Sequence, residues 1–282
     1  MNLMIQPNQI CLIVKLYNNR PELLPDSNGF VCQNTKIRNK FGIFHTFVLK
    51  TDTKEKMDRQ VYVILVAGGS GTRMGGSVPK QFLRIGGKSV LQRTIERFTD
   101  AVPGIKVVVV LPAQHFRTWK DICLEDSFNS PQLLVEGGIT RFQSVRNALA
   151  KVPDGAVVMI HDGVRPFVSK ELIRRMLSMM GEKCRALIPV LPVTDTLRST
   201  DPSVPAPDRS RTVSVQTPQV FLSEDIRKAY RRPYELGFTD DASVAERDGV
   251  EVCMTEGEKF NIKITTPDDL VTGGAILSHQ GS

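Results

Sequence analysis

The sequence predicts an α/β fold built on one mostly parallel sheet with helices on both faces. Three observations predict it: short β-branched runs alternate with helical patterns from Val61 onward, a glycine-rich loop follows the first run directly, and Ser or Thr opens three of the first four helical stretches.

Strands are expected at 61–67, 105–111, 132–135, 156–161 and 186–190, each short, apolar and rich in residues that suit a pleated, buried surface. Helices are expected between them at 89–99, 113–123, 140–150 and 169–180, with right-handed crossovers by default. From 191 to 214 the pattern breaks into a segment rich in Pro, Ser and Asp, too polar for a core and too long for an ordinary connection. Regular structure then returns: a strand at 213–221, helices at 223–230 and 239–247, and strands at 250–255 and 261–265. In the last of these, alternation places Asn261, Lys263 and Thr265 opposite Ile262 and Ile264. A final helix opens at Thr266-Pro267-Asp268-Asp269, with a cap, a first-position proline and first-turn acids.

Residues 1–58 read differently, with frequent Asn, Lys and Thr, poor periodicity and no motif, and form an appendage to a domain spanning 59–282. Met57 stands just before the first strong strand, so two readings are open: a start codon placed too far upstream, or a small accessory segment. The intact mass of the native protein separates them.

A chain of 282 residues can bury a large core without cross-links. Its five cysteines are odd in number and scattered, with no CxxC spacing, which suits a reducing, cytoplasmic setting. The formal charge of +7 is spread along the chain without interleaved aromatics, which gives no nucleic-acid surface and suits a small polyanionic substrate. No stretch has the roughly twenty apolar residues of a membrane helix, and the start lacks a small-residue cleavage site.

The first strand runs into Ala67-Gly68-Gly69-Ser70-Gly71-Thr72-Arg73-Met74-Gly75-Gly76. Glycines at a strand's carboxyl end let successive N–H groups face phosphate oxygens. Neither the dinucleotide fingerprint nor the P-loop fits, because Met74 replaces one required glycine and Gly-Lys-Ser/Thr is missing. Arg73 and Lys80 flank the loop, and a guanidinium with an ammonium there can stabilise charge at phosphorus; solvated surface charge is the plainer alternative for each. Asp162, at the end of the fourth strand, is placed to hold Mg2+ against nucleotide phosphates. His161 is a base or a buried structural histidine, and Arg165 pairs with Asp162 or with another acid. Glu136-Gly137-Gly138, ahead of Thr140, Arg141 and Ser144, either reads a base edge or makes a tight turn with a cap.

In order along the chain stand AGGSGTRMG with PKQF, VEGGITRFQSV, HDGVRPF, PVTDT, QTPQVF, TDDAS and NIKITTPDDL. Together, from about 61 to 277, they resemble the nucleotidyltransferase family that includes the methylerythritol phosphate cytidylyltransferases of the non-mevalonate isoprenoid pathway. The resemblance implies a Rossmann-like sheet with a protruding β-arm, formed by the polar insertion, that embraces a second subunit in a homodimer. It implies a cytidylyl transfer from CTP to 2-C-methyl-D-erythritol 4-phosphate with release of pyrophosphate and with Mg2+ as cofactor. Ala67, Gly68, Gly69, Gly71, Gly138, Ser144 and Gly163 then contact CTP, Gly163 at a position often filled by Ala. Arg73 and Lys80 stabilise the transition state, Asp162 holds the metal, and Thr196, Arg209, Thr217 and Lys263 lie on polyol-phosphate motifs, Thr196 in the neighbour's site. Phe260 and Ile139 depart from residues common in relatives. Rival readings are a ribitol 5-phosphate cytidylyltransferase and an idle nucleotide-binding subunit; retention of Arg73, Lys80, Asp162 and Lys263 together argues against idleness.

Overall fold

The computed structural model describes residues 32–39, 42–49, 59–69 and 78–280, and the chain divides into two units, Met1–Asp58 and Arg59–Ser282. In the first unit β1 (Cys32–Asn39) and β2 (Gly42–Leu49) pair antiparallel, with Cys32 opposite Leu49 and Asn39 opposite Gly42. The poor periodicity of this stretch does not announce them.

The second unit begins with β3 (Val61–Val66), followed by β4 (Arg84–Ile85) and β5 (Lys88–Ser89), a small hairpin around Gly86 and Gly87. After these come α1 (Val90–Ala101), β6 (Lys106–Leu111), α2 (Phe116–Glu125), β7 (Gln132–Glu136), α3 (Arg141–Leu149), β8 (Val157–Asp162), α4 (Lys170–Met179) and β9 (Ala186–Pro192). The rest are β10 (Val213–Val215), β11 (Gln219–Leu222), α5 (Ser223–Ala229), α6 (Asp241–Arg247), β12 (Val252–Glu256) and α7 (Pro267–Gln280). The main sheet runs β10-β9-β11-β8-β3-β6-β7, and β12 also pairs with β9. Strands β8, β3, β6 and β7 are mutually parallel, as are β9 and β12; β10 and β11 run antiparallel to their neighbours. The expected mostly parallel α/β architecture is therefore present.

Alternation along the central strands divides the core between two faces. On one, Ile64, Val108, Val110, Val158 and Ile160 pack with Phe142 and Val145 of α3, Ile226 of α5 and Val244 of α6. On the other, His161 meets the Phe98 ring of α1 edge-on at 4.9 Å, and Arg174 of α4 donates to the Ala101 carbonyl at the end of α1 (2.9 Å). Phe98, Ile95, Leu172, Ile173 and Met176 are fully buried, each stabilising the fold by about 1.5–3 kcal/mol. Ser89, Thr140 and Ser169 cap α1, α3 and α4 by accepting from Gln92, Gln143 and Leu172 N–H groups, each contributing about 1 kcal/mol.

Two expected elements are corrected. The single strand at 213–221 is two strands: β10 joins β9 alone, while β11 lies between β8 and β9. Pro218 stands between them and has no N–H for a ladder. Residues 261–265 form no strand. Their N–H groups go elsewhere: Asn261 to Glu258, Ile262 to Phe260, Ile264 to Val164, and Thr265 to the Asp269 carboxylate.

Topology fixes where a ligand can sit. The chain moves from β3 to β6 and β7 on one side, then crosses back to β8 on the other. The carboxyl ends of β3 and β8 therefore border a switch point, where loops diverge and leave a crevice.

Candidate functional site

A cleft of about 400 Å³ opens at that point, lined among others by Ala67, Gly68, Gly69, Lys80, Gln81, Gly138, Arg141, Ser144, Asp162 and Lys263. Three loops build it. Ala67 leaves β3 held to the Val110 carbonyl (2.9 Å), Gly137 leaves β7 held to Leu111 (2.9 Å), and Gly163 leaves β8 held to Val66 (2.9 Å). Each strand end is thus tied to its neighbour before its loop turns into the cleft.

At the β7 loop, Ser144 Oγ accepts from Gly138 N–H (3.0 Å) and donates to the Thr140 carbonyl (2.9 Å). The Gln143 amide accepts from Ile139 N–H (2.8 Å). A Cβ on Gly138 would collide with Gln143, so the turn requires glycine. Ser144 thus holds Gly138 in this turn while lining the cleft. Gly163 does not line the cleft. It packs beneath Ala67, where a Cβ would lie 2.9 Å from the Ala67 Cβ; an alanine there requires the β3 loop to shift.

Asp162 is the charged centre. Its Oδ2 accepts from Arg165 Nε (3.1 Å) and pairs with Lys263 Nζ (3.0 Å), while Arg141 Nε stands 4.0 Å from Oδ1. Burial works to raise its pKa, but Lys263, Arg141 and Arg165 outweigh burial and hold the carboxyl well below its ordinary range. Arg165 also donates to the Asn261 carbonyl (2.7 Å), which ties the 261–265 segment to β8 and aims Lys263 inward. Arg141 is clamped from behind by Asp241, a fully buried acid, through two bonds of 2.8 and 2.6 Å. Tyr230 donates to the same carboxylate (2.6 Å).

Thr217 is buried and does not line the cleft. Its hydroxyl accepts from Asp162 N–H (3.1 Å) and meets His161 Nδ1 (3.0 Å). His161 Nε2 faces the Arg165 carbonyl at 3.1 Å, so that nitrogen carries the proton and Nδ1 accepts from Thr217. Burial pushes the imidazole down to about 4, against the smaller opposing effect of its hydrogen bonds. With both nitrogens engaged and no exposed surface, His161 is a structural histidine. Between its ordinary pKa of 6.5 and about 4 the unfolded chain binds the proton that the folded protein refuses. Stability is complete above pH 6.5 and is expected to decline by about 3 kcal/mol as pH falls to 4. Urea unfolding across that range checks it; a flat stability profile would contradict it.

Of the other expected residues, two do not line the cleft. Thr196 and Arg209 are exposed on the segment between β9 and β10, where Arg209 donates to the Thr194 carbonyl (2.9 Å). Gly71 and Arg73 lie outside the described residues. Lys80 lies across Gly69, where a Cβ would meet its Cε at 3.4 Å and Nζ at 3.8 Å. Arg141 was named from the sequence only as part of the helix start after Gly137-Gly138, with no role of its own, and its clamp Asp241 was not singled out. The available signal was the Arg opening the helix after Gly137-Gly138, together with paired acids in TDDAS.

The arrangement joins backbone amides, cations and one carboxylate in a single crevice, a set suited to polyphosphate. The family model described as 2-C-methyl-D-erythritol 4-phosphate cytidylyltransferase matches residues 61–279. Enzymes of that name from Bacteroides thetaiotaomicron (48% identical, 76% of this chain and 98% of the relative) and Porphyromonas gingivalis strain W83 (47%, 79% and 100%) are similar. Among solved structures, that of 2-C-methyl-D-erythritol 4-phosphate cytidylyltransferase from Thermus thermophilus is 32% identical, with a TM-score of 0.61 over 78% of this chain and 99% of the other. The 4-diphosphocytidyl-2C-methyl-D-erythritol synthase from Anaerococcus prevotii is 28% identical, with a TM-score of 0.67 over 79% and 98%. The chain belongs to the 2-C-methyl-D-erythritol 4-phosphate cytidylyltransferase family.

Proposed function

We propose that the protein transfers a cytidylyl group from CTP to 2-C-methyl-D-erythritol 4-phosphate, releasing pyrophosphate. The observation that carries this reading is the joining of Gly68, Gly69, Lys80, Asp162 and Lys263 around one cleft at the switch point. An oxygen of the polyol phosphate attacks the α-phosphorus of CTP, a new P–O bond forms, and the bond to the β-phosphate oxygen breaks. The attacking phosphate is already anionic, so no residue need remove a proton. What limits the reaction is the approach of two polyanions. Lys80 and Lys263 with the loop amides lower that repulsion and fix the line of attack, and Arg73 acts with Lys80 by resemblance.

Asp162 suits Mg2+ as a single protein ligand. Its Oδ1 lies 4.0 Å from Arg141 Nε and keeps lone pairs available, and among the described residues no three His, Cys, Asp or Glu side chains gather to form a protein cage. That donor set fits an ion held mainly by nucleotide phosphates and water. Such an ion would screen the triphosphate charge.

By the same family reading, the segment between β9 and β10 is an arm that reaches a second copy of the chain, so that Thr196 and Arg209 act with polyol phosphate in a homodimer. Antiparallel pairing of Val213–Val215 with β9 provides its base. Among the described residues no helix is long and apolar enough to cross a membrane; a cytoplasmic location belongs to the same family reading.

Turnover separates the substrates. Purified protein with CTP and Mg2+ should release pyrophosphate with methylerythritol phosphate far faster than with ribitol 5-phosphate; the reverse preference would transfer the assignment to the ribitol enzyme.

A further inference from the structure

Gln81 is fully buried, yet neither its Nε2 nor its Oε1 has a hydrogen-bond partner. A buried carboxamide that has lost water and gained nothing carries a desolvation cost, and an apolar residue of the same size would carry none. The backbone that carries it is held in place. It sits in the short 3-10 turn Lys80–Phe82, closed by Phe82 N–H to Pro79 (2.9 Å). Phe82 is anchored by stacking on Trp119, with centroids 6.1 Å apart, and by an edge contact with His115 at 5.8 Å.

The same residue lines the cleft beside Lys80, Gly68 and Gly69. That part of the lining offers a glycine-rich backbone and an ammonium, an assembly that attracts phosphate oxygens. A carboxamide has three flexible side-chain torsions, so its head can swing toward a ligand while the backbone stays fixed. Leaving an unpartnered pocket makes that movement easier.

We propose that Gln81 is a further nucleotide-binding residue, whose amide Nε2 donates to a phosphate oxygen of the bound nucleoside triphosphate. This rests on the reading of the cleft as a nucleotide site. The protein holds the amide unsatisfied when empty and gains its hydrogen bond only with ligand, so apo stability is sacrificed to affinity.

The test replaces Gln81 with an apolar residue of similar volume, Gln81→Met. Two quantities are read on the full chain: thermal stability without ligand, and the dissociation constant for CTP with Mg2+ by calorimetry. The expected result is a melting temperature equal to or above wild type, with CTP binding weakened about ten- to a hundredfold, as for a lost hydrogen bond to a charged group. Unchanged CTP affinity in a folded variant would overturn the proposal. The wild-type protein provides a second measurement that does not depend on folding of the variant: the side-chain NH2 resonances of Gln81 should shift on titration with CTP. If CTP binds and those resonances stay in place, the proposal fails while the nucleotide cleft stands. If wild type binds no CTP, both fail.

Discussion

Lys80→Ala is expected to lower kcat by about 10²–10³ while leaving the fold intact, because a preorganised positive group aimed at charge developing in the transition state has that order of effect. Its side chain crosses Gly69 at the mouth of the β3 loop, within the lining of the cleft. Lys80 is half-buried at the cleft wall rather than packed in the core. Thermal unfolding should therefore differ little between variant and wild type. Arg73→Ala is expected to behave alike, from the resemblance of its motif. Lys80→Arg should retain more activity than the neutral Lys80→Gln, since charge matters first and geometry second. A Lys80→Gln enzyme as fast as wild type would show that the ammonium has no part in the chemistry.

The second large effect is expected at Asp241, which lies outside the lining of the cleft. Its carboxylate receives two bonds from Arg141 and one from Tyr230, with no exposed surface. Asp241→Asn leaves the Arg141 guanidinium without its counter-charge in a half-buried place. Breaking such a pair by removing one partner commonly costs about 3–5 kcal/mol. For a unit of this size that corresponds to a fall in melting temperature on the order of 10 °C. Affinity for CTP should weaken as well, because Arg141 lines the cleft and stands near Asp162. Replacing every partner by an apolar group, as in Arg141→Met with Asp241→Leu and Tyr230→Phe, should restore much of the stability and none of the affinity. A stability loss under about 1 kcal/mol in Asp241→Asn, measured by thermal and urea unfolding, would mean that the clamp is not under the electrostatic load described.

These two sites differ in how far the sequence revealed them. Lys80 follows a glycine-rich loop that follows a strand, so local order alone places it near a phosphate cradle. Asp241 is 100 residues from Arg141, and nothing local marks it as buried or as the partner of that arginine. The same contrast runs through the fold. VYVILV and KVVVVL are legible because a buried parallel strand needs continuous β-branched and aliphatic residues. NIKIT imitates a strand by alternation, yet Asn261 and Ile264, on opposite faces of that pattern, are both fully buried. Its backbone partners are a turn, a loop and a helix-capping acid, which periodicity does not encode. Lys263 came to the site by resemblance; the structure supplies the physical reason, the Arg165 bond to Asn261 that fixes the segment beside Asp162. Thr217, expected near substrate, instead joins Asp162 to His161 from below.

The central claim is that fixed charge and backbone amides do the catalytic work without a general base. The pH dependence of kcat/KM for methylerythritol phosphate from about pH 5 to 9 tests it most directly, since that ratio reports ionisations of free enzyme and free substrate. The expected profile rises through about pH 6, where a phosphate monoester takes its second charge, and is level from about 7 to 9. A rate that keeps climbing about tenfold per pH unit above 7 would reveal a base still losing its proton, and would contradict the account.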